Sequence, residues 1–224
     1  MAAEDEHSMS SVQLSVVSDS ASFIKKTAKE ARILRPKVPW TNVISLAIPE
    51  VLVIEPKILG DQRGFFFEAF QAERYASYGI TRPFVQDNIS RSANGVLRGL
   101  HLQNPKCQGK LLTVLRGSVL DVAVDVRLGS PTFGRHASAE LSEENRRQIW
   151  IPGGFAHGFL VLSESADIFY KCDELYSPTD EITLRWNDPA FAIKWGIECP
   201  SLSARDAAAP FLAEVKGLPI YGKC

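Results

Sequence analysis

Between Ser118 and Arg127 the side chains alternate between a uniformly apolar face, Leu120, Val122, Val124 and Val126, and a face that carries the polar residues, Val119, Asp121, Ala123, Asp125 and Arg127. A period of two is the signature of a β-strand. Shorter runs of the same character occupy Val51–Ile54, Gly64–Phe70, Lys110–Leu115, Gln148–Ile151, His157–Leu162, Asp167–Cys172 and Glu181–Trp186. Turn-forming residues separate them at Gly117, Gly129-Ser-Pro131, Pro152-Gly-Gly154 and Ser177-Pro178. Helical periodicity is confined to Ala69–Tyr78 and the neighbourhood of Ala207–Val215. Many short strands with frequent turns predict an all-β sandwich or barrel with a few short helices. No internal repeat and no glycine-rich phosphate loop accompanies them.

The first 42 residues read differently. They are serine-rich from Ser8 to Ser22, continue in a helical pattern over Ser20–Leu34 that carries Lys25, Lys26, Lys29 and Arg32, and end at Pro36 and Pro39. This predicts an N-terminal arm, partly disordered and partly helical, over residues 1–42, followed by one domain over 43–224.

Composition narrows the function. With 25 Lys and Arg against 26 Asp and Glu, the net charge of −1 leaves no basic surplus for a phosphate backbone, which argues against a nucleic-acid binder. The apolar stretches Val43–Ile48 and Val51–Ile54 are broken by Pro49 and Glu50, too short to span a bilayer, and the acidic start shows no export pattern. A cytoplasmic enzyme or binding protein is expected. The four cysteines, Cys107, Cys172, Cys199 and Cys224, form no CxxC pair, so reduced thiols are the simplest expectation.

Alternation places one polar residue of each of three strands on an apolar face: Lys110 with Leu112 and Val114, His157 with Phe159 and Val161, and Tyr170 with Ile168 and Cys172. All three can aim at one interior. His101, flanked in sequence by Arg98 and Lys110, is a candidate base. By itself it is as readily a half-buried structural ring between surface ion pairs, and His157 a core histidine. A metal centre in a small barrel needs about three protein ligands. Only His101 and His157, with His136 as a weaker third, are available, no His-x-His pair occurs, and metal-free chemistry without a cofactor is favoured.

Several segments, in order, resemble the dTDP-4-dehydrorhamnose 3,5-epimerases: RGFFFE at Arg63–Glu68, QDN at Gln86–Asn88, GVLRGLH at Gly95–His101, GSPTFG at Gly129–Gly134, GFAHGF at Gly154–Phe159, and Ser201–Pro210. The resemblance runs from about Ile48 to Val215. It implies a cupin-type β-barrel (jelly roll) that acts without metal, as a homodimer, on a 4-keto-6-deoxyhexose carried by dTDP. It also implies His101 as general base, Asp206 as its paired carboxylate, Tyr170 as general acid, and Lys110 and His157 lining the sugar site. Tyr176 corresponds to the aromatic that stacks on thymine, and Arg63, Glu68, Gln86, Asn88, Arg98, Glu181 and Arg205 to the remaining substrate contacts. Leu102 and Ile89 replace the aromatic and the histidine usual at those places, a change in substrate packing.

The chemistry asks for these residue types. A proton beside a ketone becomes removable when a cation such as Lys110 stabilises the enolate. An imidazole, largely neutral at pH 7, accepts that proton, and Asp206 would orient the ring and stabilise its cation. Inversion then needs a proton from the other face, which a tyrosine hydroxyl, with an ordinary pKa of about 10, still holds. Inversion at both C3 and C5 is the preferred expectation. The alternatives are a single-centre epimerase, a non-catalytic nucleotide-sugar-binding cupin and a metal-dependent cupin oxygenase.

Overall fold

The structure, a computed structural model, describes residues 32–34 and 40–224. The strands are β1 (Arg32–Leu34), β2 (Thr41–Ser45), β3 (Leu52–Pro56), β4 (Leu59–Asp61), β5 (Gly64–Phe66), β6 (Gln86–Ala93), β7 (Leu97–Gln103), β8 (Lys110–Arg116), β9 (Ser118–Asp125), β10 (His136–Ser142), β11 (Gln148–Ile151), β12 (Phe155–Val161), β13 (Ser165–Cys172) and β14 (Glu181–Thr183). Among the described residues the helices are short: α1 (Ala72–Ala76), α2 (Ala204–Ala207) and one 3-10 turn at Leu212–Glu214.

Seven strands form one sheet in the order β1-β2-β3-β11-β8-β13-β6, five form a second in the order β10-β9-β12-β7-β14, and β4 and β5 make a separate hairpin. The sheets enclose a core to which the first contributes Leu112, Val114, Ile149, Ile151 and Ile168, and the second Val119, Ala123, Phe155, Phe159 and Val161. This is the jelly roll of cupin type that the strand pattern and the resemblance predict.

The second sheet is buried on both sides. Its outer face, with Leu100, Val122, Val124 and Leu160, packs beneath Leu184, Phe191, Trp195 and Leu218 of the segment after β14. For β9 the uniformly apolar face is therefore the outer one, and the face carrying Asp121 and Asp125 turns toward the interior, where both carboxylates are fully buried.

Two expectations are corrected. Arg32–Leu34, read as the end of a helix, is a strand paired antiparallel with Val43–Ser45 of β2; the rest of that pattern lies outside the described residues. Cys107 and Cys224, expected as free thiols, are joined in a disulfide with Cα atoms 5.5 Å apart across 117 positions. Backbone contacts that sequence spacing does not reveal bring them together: Leu128 donates to the Pro219 carbonyl at 2.7 Å, and Tyr221 to the Leu128 carbonyl at 3.0 Å. Cys172 and Cys199 are free.

Candidate active site

Between the sheets opens a cleft of about 680 Å³ lined by Arg98, His101, Lys110, His157, Tyr170, Arg205 and Asp206, among others. Each of four strands supplies part of it: β7 brings Arg98 and His101, β8 Lys110, β12 His157 and β13 Tyr170. The three inward polar residues read from strand alternation thus meet in one place.

The two histidines lie opposite each other in the β7–β12 register, just before an irregularity between His157 and Phe159. Gly99 makes this approach feasible. Its φ is +120°, and a Cβ there would lie 2.6 Å from both the Gly158 Cα and the His157 carbonyl oxygen. No side chain fits that gap.

Each histidine is bonded to a buried carboxylate. His101 Nε2 lies 2.6 Å from Asp206 Oδ1, and His157 Nε2 lies 3.0 Å from Asp121 Oδ2. Asp206 belongs to α2, whose N-cap Ser203 accepts the Asp206 backbone N–H at 3.0 Å. Burial pushes the Asp206 carboxyl up, but the hydrogen bond and charge of His101, together with Ser203 and Arg205, outweigh it and hold the group below its ordinary value. The ring nitrogen of His101 turned away from Asp206 is then the one free to accept a proton.

Lys110 is lowered from the usual lysine range by burial, opposed by the nearby acidic groups, the Cys172 thiol and the Glu181, Asp173 and Asp121 carboxyls. The Tyr170 hydroxyl is raised, first by burial and then by Cys172 and Glu181, with Arg98 acting the other way. The cleft therefore holds an imidazole backed by a carboxylate, a cation primed to share a proton, and a phenol that keeps its own.

At the rim Glu181 joins several groups. It accepts the Tyr176 hydroxyl at 2.6 Å and the Arg205 guanidinium at 2.6 and 2.7 Å, and its Oε1 lies 3.9 Å from His101 Nδ1. Burial raises the Glu181 carboxyl, while bonds from Arg205 and Tyr176 more than reverse this and hold it low. The Tyr176 ring is 49% exposed and available to a flat partner. Gln86 and Asn88 sit on β6 beside β13; Gln86 Nε2 donates to Asn88 at 3.0 Å, and its Oε1 accepts the Tyr176 backbone N–H at 2.9 Å.

Of the residues expected at the site, Gln86, Asn88, Tyr176 and Glu181 do not line the cleft itself but connect to it through these bonds, whereas Arg63 and Glu68 are not brought to it within one chain. The Arg63 side chain, on the β4–β5 hairpin, is 90% exposed and paired with Asp61 at 2.6 Å, and Glu68 is paired with Arg74. Neither lines the cleft. Conversely, Asp121 and Ser90 are site residues to which the sequence pattern does not assign a role. Ser90 lines the cleft with a buried hydroxyl that has no partner in the protein. For Asp121 the signal was present: a carboxylate sharing a strand face with Val119 and Ala123. His136 lies elsewhere, bonded to the Phe191 carbonyl at 2.8 Å.

Comparison with known proteins identifies the family. The family described as dTDP-4-dehydrorhamnose 3,5-epimerase matches residues 45–214. The dTDP-4-dehydrorhamnose 3,5-epimerase of Salmonella typhimurium is 53% identical over 173 residues, covering 76% of this chain and 94% of that protein. The crystal structure of dTDP-6-deoxy-D-glucose-3,5-epimerase from Legionella pneumophila in complex with dTDP-4-keto-L-rhamnose superposes with a TM-score of 0.79 at 56% identity, covering 81% of this chain and 98% of that one. A 3'-monoepimerase from Streptomyces bikiniensis in complex with dTDP-quinovose is similar at a TM-score of 0.75 and 36% identity, over 80% of this chain and 93% of that one.

Proposed function

This chain belongs to the dTDP-4-dehydrorhamnose 3,5-epimerase family, and on that premise we propose how its cleft carries out the reaction. The activity is that of an isomerase: inversion at C3 and C5 of dTDP-4-dehydro-6-deoxy-D-glucose to give dTDP-4-dehydro-L-rhamnose. Both carbons flank the C4 ketone, so each carries a proton that becomes acidic once the enolate is stabilised.

In our reading His101 removes the proton, with Asp206 balancing the imidazolium charge. Lys110 faces the enolate oxygen. Its lowered proton affinity suits it to share a proton with that oxygen as negative charge develops. Tyr170 returns a proton to the opposite face, inverting the centre. The observation that supports this set best is the 2.6 Å contact of His101 with the buried Asp206, in a cleft whose other walls carry Lys110 and Tyr170. Binding alone requires no such dyad. Tyr176 would stack on thymine, and Arg98, Arg205, Gln86, Asn88, Glu181 and His157 would hold the pyrophosphate and sugar.

A homodimer belongs to the same proposal. Phe65 and Phe66 of the β4–β5 hairpin are 54% and 65% exposed, beside Arg63 and outside this chain's own cleft. A second copy that covers the hairpin would receive Arg63 and Glu68 in its own site. The domain reading also stays with us as a proposal: a catalytic domain over 43–224 preceded by an arm over 1–42, with the family match starting at residue 45, except that β1 and the start of β2 fall before residue 43 and join the first sheet. Among the described residues no helix is long and apolar enough to cross a membrane. We assign the enzyme to the cytoplasm, in keeping with a family that acts on a nucleotide-linked sugar.

The test is NMR of the keto sugar in deuterated water, following deuterium and configuration at C3 and C5 separately. The wild type should incorporate deuterium and invert at both carbons. His101→Asn should do neither, because no enolate forms. Tyr170→Phe should exchange without inverting, since His101 still removes and returns the proton on one face. Inversion by Tyr170→Phe at the wild-type rate would remove Tyr170 from the acid role.

A further inference from the structure

Tyr176 sits on a segment, Glu174–Ser177, that belongs to no strand or helix. Its backbone is instead suspended from three glutamine side chains. Gln108 Nε2 donates to the Glu174 carbonyl at 2.7 Å, Gln86 Oε1 accepts the Tyr176 N–H at 2.9 Å, and Gln103 holds the residue on either side. Gln103 Nε2 donates to the Leu175 carbonyl at 3.2 Å, while its Oε1 accepts the Ser177 N–H at 2.9 Å. A third bond, from Gln103 Nε2 to the Lys106 carbonyl at 3.0 Å, anchors the amide itself.

Gln103 is 3% exposed. Both its donor hydrogens and its acceptor are therefore committed in a dry environment, where an amide that lost a partner would not regain one from water. It also lies directly opposite Glu181 in the β7–β14 register, and Glu181 accepts the Tyr176 hydroxyl at 2.6 Å. The same residue thus fixes the backbone before and after Tyr176 through its side chain, and through its main chain the carboxylate that receives the far end of the ring. It is two residues beyond the base His101 on the same strand, so base and aromatic ring share one rigid support.

We propose that Gln103 is a positioning residue for the nucleotide end of the substrate: it presents the Tyr176 ring in a preformed pose for a flat nucleobase. The proposal rests on the functional reading above, because it takes the ligand of Tyr176 to be the thymine of a dTDP-sugar. Its energetic role is to prepay the ordering of a segment that would otherwise be ordered at the expense of binding energy. Because Gln103 does not touch the reacting carbons, its loss appears in binding and leaves the chemical step intact.

The experiment measures Kd for dTDP by calorimetry and kcat and KM for the keto sugar, in the wild type, Gln103→Met, Gln103→Glu, Tyr176→Ala and the double variant Gln103→Met/Tyr176→Ala. Gln103→Met preserves bulk and removes all three bonds; Kd and KM should rise about tenfold, the equivalent of one net hydrogen bond or slightly more, with kcat within about twofold of the wild type. Gln103→Glu keeps the acceptor for Ser177 but sets a carboxylate oxygen against the Leu175 and Lys106 carbonyls, and should weaken binding at least as much as Gln103→Met. The double variant should bind dTDP no more weakly than Tyr176→Ala alone, since Gln103 acts through that ring.

Unchanged Kd in the Gln103 variants, or effects that add in the double variant, would overturn the positioning role. If Gln103→Met does not fold, Gln103→Glu carries the same test, and wild-type affinity in it overturns the proposal. Failure of the wild type itself to bind dTDP would instead strike at the functional reading, so the two failures are distinct.

Discussion

His101 of β7 and Asp206 of α2 meet at 2.6 Å across 105 positions of sequence, and Arg205 Nη2 lies 3.5 Å from the same imidazole nitrogen. The carboxylate is buried and anchored at its own backbone by Ser203, so the ring is held from behind by a fixed negative charge. Asp206→Asn retains an acceptor oxygen and the shape of the side chain while removing that charge. The imidazolium formed on proton abstraction then goes uncompensated, and kcat should drop on the order of 10²–10³-fold with Kd for dTDP little altered. Single-turnover kinetics alongside calorimetry checks both halves. A variant with wild-type kcat would separate Asp206 from the proton transfer.

The pH dependence should distinguish Lys110 from Tyr170. Burial lowers the Lys110 ammonium from the ordinary lysine value, whereas burial raises the Tyr170 hydroxyl. Loss of the Lys110 proton removes enolate stabilisation without requiring Tyr170 to titrate. The alkaline limb of deuterium exchange at C3 and C5 should therefore persist in Tyr170→Phe. If that limb vanished in the variant, the titrating group would be the tyrosine.

The GSPTFG motif has a structural explanation that lies outside the cleft. Burial raises the Asp125 carboxyl, but it accepts bonds from Arg127, Ser130 and Thr132 and from the Arg127 backbone, which together lower it to about 2. Ser130 and Thr132 both reach Oδ2 at 2.5 Å. The folded value lies below the ordinary one of 3.8, so the contribution to stability is complete above about pH 4 and is lost as pH falls toward about 2. Its size is on the order of 2 kcal/mol. Asp125→Asn should lower the urea midpoint at pH 7 and flatten the acid-unfolding curve in that window; equal acid sensitivity in both proteins would contradict the assignment.

How far the sequence reaches follows from which interactions are local. Alternation in β8, β12 and β13 was enough to aim Lys110, His157 and Tyr170 at one interior, because side-chain direction in a strand is a two-residue property. Neither the His101–Asp206 nor the His157–Asp121 contact follows from such a rule, since each joins separate elements; only the resemblance pointed to Asp206. The arrangement of faces in β9 was half legible. Its alternation was plain, yet which face lay inside depended on Phe191, Trp195 and Leu218 arriving from the far end of the chain. The pairing of Cys107 with Cys224 was invisible for the same reason.

Arg63 offers the sharpest test of assembly, because the two arrangements differ in countable sites. If Arg63 serves the cleft of a partner subunit, an Arg63→Ala chain still has an intact His101, and a His101→Asn chain still offers an intact Arg63. Each variant alone should be severely impaired. In a mixed dimer the cleft of the Arg63→Ala chain receives Arg63 from its partner and is complete, while the other cleft lacks its base. Random reassociation of equal amounts makes half the dimers mixed, each with one working site in two, so about a quarter of wild-type activity should return. Co-refolding the two inactive chains and assaying product measures this directly. If Arg63 acted within its own chain, every cleft in the mixture would lack either the base or the arginine, and no activity would return.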